Sequence, residues 1–245
     1  MRRFHWIATL ALVAALAGAL MLASSGLGYR LGWWSLQRGF QLLTWGAFAG
    51  VGAAVLGLAG LALNRPRQNA RGFVLAGVGL LAGVLLAGIP WQWQRTAAQV
   101  PRIHDISTDT ETPPDFVRIA EIRTAANAPN ALDYSAEVAA EQRQGYPDLG
   151  PLALPVPPDE AYQKALATAE ARGWEIVTAD AAARRIEATD TTFWFGFKDD
   201  IAVRVTPAEG GGSRIDVRSV SRVGRSDVGT NARRIREYLA DIARR

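Results

Sequence analysis

The chain has 245 residues, 8 Trp, no Cys and a formal net charge of +4. Without Cys it has no disulfide, thiol nucleophile or thiolate metal site. Residues 1–90 hold seven Arg and no acidic residue, while the remaining 155 carry 20 Lys or Arg against 23 Asp or Glu and sum to −3, which argues against a nucleic-acid binder.

Three uncharged apolar runs, residues 4–23, 40–63 and 72–90, predict transmembrane helices. A hydrocarbon core of about 30 Å needs about 20 apolar residues as helix, and helix leaves no backbone group without a partner there. Arginine placement predicts orientation. Arg2, Arg3, Arg65, Arg67 and Arg71 lie on one side, and Arg30 and Arg38 on the other. The side with five is cytoplasmic, so the remainder of the chain is expected in the periplasm of an inner-membrane, multi-pass protein. Trp33, Trp34, Trp91 and Trp93 fall at the expected outer interface and read as an aromatic belt. A signal peptide is the alternative for the first run; its cleavage would leave the domain outside. Gly46 with Gly50, and Gly79 with Gly83, are spaced for close helix contact, either within the bundle or along a seam with another copy or partner. Apart from His5 at the membrane end of the first, no ionisable residue lies within a run, which counts against a proton or ion pathway.

Residues 93–157 read as an extended connector wrapping the soluble domain, rich in Pro, Thr and Asp, with one short helix from Ser135 to Gln144 capped by Ser135. His104, Asp105, Asp109 and Glu111 match no standard metal-ligand spacing and are read as a hydrogen-bonded loop.

Residues 158–245 form the soluble core. An amphipathic helix over Pro158–Arg172 starts on Pro158 and Asp159 and ends at Gly173. Strands are expected over Trp174–Thr178, Arg185–Thr189, Asp199–Thr206 and Arg214–Val220, with Phe193–Phe197 as a short strand or the start of the third. Gly210–Gly212 marks a hairpin turn, and a last helix runs from about Val228 to Ala243. Together these elements predict an α+β fold: a three-helix transmembrane region, then a two-layer α/β sandwich with an antiparallel sheet. Strict alternation gives one apolar sheet face under the helices and one face of mixed charge, expected to be solvated or to dock a partner. Asp199 and Asp200 point to opposite faces.

Two surface features are candidate sites. The loop before the last helix offers Arg222, Gly224, Arg225, Asp227, Asn231 and Arg233 as an anion or headgroup site, in competition with a purely structural role in which Asp227 caps the helix. Trp194, opposite Phe193, Phe195 and Phe197 if this run is a strand, is a candidate for contact with the outer leaflet.

Three motifs carry a family resemblance: Ile103-His-Asp-Ile-Ser-Thr-Asp-Thr-Glu-Thr-Pro-Pro-Asp-Phe116, Tyr146-Pro-Asp-Leu149, and the stretch from Val220 to Ile235 with its Gly-Arg-Ser-Asp-Val-Gly-Thr-Asn centre. Over about residues 100–243 the chain resembles the bacterial family called domain of unknown function 1499 (DUF1499). The resemblance implies a Gram-negative envelope protein and brings no activity or catalytic residues. No nucleophile elbow, phosphate loop, dinucleotide or zinc-protease motif occurs, and His104 is the only obvious base outside the membrane region. The expected function is non-enzymatic interaction or assembly in the envelope, with anion or headgroup binding as the alternative and hydrolysis a more distant one. No cofactor is expected. The expected partners are membrane lipid and an envelope protein or a second copy.

Overall fold

A computed structural model describes residues 5–64, 66–67 and 69–245. Arg2, Arg3 and Arg65, which contribute to the orientation argument, lie outside the described residues. The chain divides into two compact units, Met1–Thr96 with Trp194–Gly196, and Ala97–Phe193 with Phe197–Arg245.

The first unit holds α1 (His5–Arg30), α2 (Leu36–Leu63) and most of α3 (Ala70–Gln99), each long and apolar enough to cross a membrane. All three helices outlast their apolar runs, and α3 continues through Pro90 for nine further residues. Apolarity marks the thickness of hydrocarbon, whereas helix ends are set by caps and turns. Ser35, for example, starts α2 by accepting from the Arg38 N–H. Glycine brings the helices together. A Cβ at Gly83 would lie 2.5 Å from both Gly50 O and Ala54 N, and one at Gly79 would lie 2.7 Å from the Ala11 Cβ. Gly46, Gly50, Gly79 and Gly83 are all buried between these three helices, which accounts for their spacing.

The second unit is an antiparallel sheet with helices. Its elements are β1 (Asp105–Ser107), α4 (Arg118–Ala125), α5 (Ala136–Gly145), β2 (Leu152–Leu154), α6 (Pro158–Ala171), β3 (Glu175–Asp180), β4 (Arg185–Thr191), β5 (Lys198–Pro207), β6 (Ser213–Ser221) and α7 (Thr230–Ala243). The strand order is β1-β6-β5-β4-β3, and β2 pairs with β6 beyond β1. Alternation along the strands puts Ile186, Ile201, Val203, Ile215 and Val217 on one face, where they meet Ala161, Ala165, Ile235 and Ile242 of α6 and α7. Each fully buried Ile or Val contributes about 1.5–3 kcal/mol. Tyr238 is buried in the same core, and its hydroxyl donates to the Ala165 carbonyl at 2.8 Å.

Three sequence expectations are corrected. The connector contains β1, β2 and α4 besides α5, so it supplies one edge of the sheet. The run Phe193–Phe197 is neither a strand nor the start of β5. It is the turn between β4 and β5, with Gly196 at φ 68° and the Thr192 N–H donating to the Phe197 carbonyl at 2.8 Å. Alternating aromatic residues do have strand propensity, but a left-handed glycine and a closing hydrogen bond reverse the chain here. Finally, the charged sheet face is not solvated through its middle. Phe116 and Ile119, from the segment leading into α4 and from α4 itself, bury Ala202 and Val220 on that face.

Candidate functional site

The most unusual chemistry in the second unit lies on this covered face. Strand alternation lines up Glu187 and Thr189 of β4, Asp200 and Arg204 of β5, and Asp216 and Arg218 of β6. The segment Thr108–Leu132 lies over them and brings in further polar groups.

Glu187 is fully buried beneath the start of α4. Its Oε1 accepts from the N–H of Val117 (2.9 Å) and Arg118 (3.2 Å), and its Oε2 from that of Ile119 (2.8 Å). These are donors that a helix start leaves without intrahelical partners, and a carboxylate there also meets the positive end of the helix dipole. A strand residue therefore caps α4, whose own preceding residue, Val117, has no side chain that could do so.

Asp200, also fully buried, binds two arginines. Arg123 of α4 donates to its Oδ2 at 2.7 Å, and Arg222 donates to both oxygens at 2.9 and 2.8 Å. Thr189 adds a hydroxyl bond of 2.8 Å. The hydrogen bond to Asp200 raises the Arg222 guanidinium above its ordinary value, against the opposing effect of burial. Arg218 and Asp105 form a second buried pair, and Arg218 also donates to the Leu132 carbonyl at 2.5 Å. Tyr134 sits beside it; burial first, and then the charge of Asp105, push its phenol well above the ordinary range.

Toward the edge of the covering segment, Asp109 and Asp216 share Arg204 and Arg214 through contacts of 2.9–3.3 Å. On the opposite, helix-covered face, Arg234 of α7 reaches Asp199 at 2.6 Å and Asp190 at 2.9 Å. Asp199 and Asp200 thus serve opposite faces, as strand alternation requires.

The loop residues named from the sequence are brought together only in part. Arg222 is turned down onto Asp200. Asp227 accepts from the N–H of Gly229 and Asn231, both at 2.8 Å, so it occupies the start of α7. Burial raises the Asp227 carboxyl above its ordinary value, outweighing those two N–H bonds. The Asn231 side chain is buried and bridges Ser219, Ser221 and the His104 carbonyl. Gly224 takes φ 93°, and its carbonyl accepts from Asn130 at 2.8 Å. Arg225 and Arg233 are exposed, the latter 3.9 Å from Glu237. Asp105 is committed to Arg218, and Asp109 and Glu111 form part of a tight turn closed on the Asp109 carboxylate. Among the described residues no group of three His, Cys, Asp or Glu gathers as a metal set.

In the helical unit, Trp33 and Trp91 are more than half exposed and Trp93 nearly so. Trp34 Nε1 donates to the Ser25 carbonyl, and Trp194 Nε1 to the Ser25 hydroxyl, both at 3.2 Å. Trp194 also lies edge-on to Trp93, with ring centroids 6.2 Å apart.

The DUF1499 family model matches residues 105–242, more than half of the chain. The chain belongs to the DUF1499 family, described as proteins of unknown function. The match begins at Asp105 and ends at Ile242, so it takes in the Arg218–Asp105 pair, Glu187, both Asp200 arginines and the α7 cap. No curated protein matches the chain. The DUF1499 domain thus includes the connector strands and α4. The sequence alternation places Glu187 on the charged face opposite Ile186, but neither it nor Arg123 belongs to a recognisable motif that would give it a role. The available signal was a charged residue at every other position of strands in an ordinary-sized domain, next to a short helix-forming stretch, Arg118–Ala125.

Proposed function

We propose that this DUF1499 protein is an inner-membrane protein that holds its domain in the periplasm, where the domain works by binding an envelope partner and not by catalysis. One observation supports this reading above others: the buried charged groups are committed to one another and to backbone N–H groups. Glu187 holds α4, Asp200 holds Arg123 and Arg222, and Asp105 holds Arg218. Groups bound in this way organise a surface; they are not poised to move protons or attack a substrate. The partner would meet the covering segment and α4 from outside.

Extraction of the full chain in mild detergent, followed by native mass measurement, tests the reading. A protein retained in fixed stoichiometry supports it. Bound phospholipid without protein favours the alternative, headgroup binding. That alternative has one observation on its side, the exposed Arg225 and Arg233 beside the start of α7.

A further inference from the structure

Phe193 is 88% exposed, more than any other large apolar side chain among the described residues. Every other exposed Phe or Trp among them belongs to the first unit. The three residues that follow Phe193, Trp194–Gly196, are also part of that unit. The chain therefore leaves the DUF1499 domain at Phe193, packs for three residues among the membrane helices and returns at Phe197.

Small residues make room for this tip. A Cβ on Gly26 of α1 would lie 2.7 Å from Trp194 Cδ1, and one on Gly39 of α2 would lie 3.0 Å from Phe195 Cε1. Trp194 donates to the Ser25 hydroxyl and stands edge-on to Trp93 of α3. Phe195 is buried, with the Phe40 ring centroid 5.2 Å away and that of Tyr29 at 6.2 Å.

These contacts fix the depth of the tip. Ser25 lies two residues beyond the apolar run that ends at Ala23, and Gly39 one residue before the run that starts at Phe40. Trp93 lies three residues beyond the run that ends at Pro90. At a rise of about 1.5 Å per residue, all three stand within about 5 Å of the hydrocarbon, the depth at which aromatic side chains collect. Trp33 and Trp91, both more than half exposed, mark the same end of the helices. The Cα of Phe193 is about 3.8 Å from that of Trp194, so its ring is held at this depth with most of its surface uncovered by protein.

We propose that Phe193 inserts into the lipid leaflet at the Arg30 end of α1, which makes the β4–β5 turn a lipid anchor of the DUF1499 domain. Trp194 commits its indole N–H to Ser25, so the lipid contact passes to the residue before it. An apolar ring gains by leaving water, and lipid is what meets it at this depth. The proposal rests on the three helices crossing a bilayer; it is independent of the side on which the domain lies and of any protein partner.

The chain has no Cys, so single introduced cysteines can carry a nitroxide label. The full chain is reconstituted in phosphatidylcholine–phosphatidylglycerol vesicles, and electron paramagnetic resonance compares collisions with oxygen, which concentrates in the bilayer, and with a water-soluble nickel chelate. Leu58→Cys, exposed on α2, is the lipid reference, and Glu209→Cys, exposed between β5 and β6, is the water reference. The label at Phe193→Cys should be oxygen-dominated, and Trp194→Ala with Phe195→Ala should shift it toward nickel by releasing the tip. The proposal is overturned if Phe193→Cys collides as Glu209→Cys does while Leu58→Cys is oxygen-dominated. It is also overturned if releasing the tip changes nothing, since the nitroxide would then be seeking lipid by itself. A nickel-dominated label at Leu58→Cys would instead overturn the assignment of the helices as membrane spans, and the proposal with it.

Discussion

Arg218 meets Asp105 across the pairing of β6 with β1 in a two-pronged contact, Nε to Oδ1 at 3.0 Å and Nη2 to Oδ2 at 2.7 Å, with only 4% of either side chain exposed. The guanidinium also lies 5.3 Å from the Phe116 ring. One contact therefore ties the first strand of the domain, the central sheet and the covering segment together.

Removing one partner leaves a buried charge without its counter-ion. Asp105→Ala should destabilise the domain by about 3–5 kcal/mol, whereas Asp105→Leu combined with Arg218→Met should recover much of that loss. Thermal unfolding of the full chain in detergent measures both. A double variant no more stable than Asp105→Ala would show that Arg218 acts chiefly through its other contacts, with Leu132 and Phe116.

Asp227, two residues before the Gly229 N-cap of α7, accepts the Asn231 N–H of the first helical turn and so supplies from the preceding loop the acceptor that a glycine cap lacks. Asp227→Ala should cost about 1 kcal/mol, while Asp227→Asn should cost less because an amide oxygen still accepts. Denaturant unfolding midpoints distinguish these outcomes, and equal losses would argue that charge, not capping, is what matters.

Asp109 should shape the acid limit of stability. Burial pushes its carboxyl up, but N–H bonds from Thr112 and Glu111, the Thr112 hydroxyl and the charge of Arg214 outweigh this and hold it below the ordinary value. The unfolded chain therefore binds this proton more readily. The stability contributed by Asp109 is present above its ordinary value of about 4 and is lost as pH falls through the folded value. Asp109→Asn should flatten the loss of stability below about pH 4. Unfolding temperatures compared at neutral and acidic pH test this, and an unchanged acid limb would contradict it.

In the membrane region, Gly83→Leu should drive α2 and α3 apart, since its first side-chain atom would fall 2.5 Å from the Gly50 carbonyl oxygen. A loss of about 1–3 kcal/mol is expected. Gly88→Leu is the control, because nothing lies within 4 Å of a Cβ there. Equal effects of the two substitutions on detergent unfolding would show that the close approach is unimportant.

Orientation is testable directly. A reporter active only in the periplasm, fused after Arg245, should be active, and one active only in the cytoplasm should be silent. The reverse pattern would place the DUF1499 domain in the cytoplasm.

The membrane helices, the α6 and α7 helices and the four long strands were legible in the residues alone, because each rests on a local rule. Three uncharged runs mark hydrocarbon, Pro158 and Gly173 bracket a helix, and alternation in Ile201–Val205 and Ile215–Val217 marks strands with one buried face. The opposed directions of Asp199 and Asp200 follow from the same two-residue period. What covers the other face depends on contacts between residues far apart in the chain. Glu187 caps a helix 68 residues before it, and Arg123 reaches Asp200 across 77. Arg218 meets Asp105 across 113. No local period records such pairings, so alternate charged residues looked like a solvated face when tertiary packing had buried them. Phe193–Phe197 differs for a related reason: its composition suits a strand, but the register of β4 with β5 makes it the turn. Sequence period determined which way each side chain points; only the folded chain decided what each one meets.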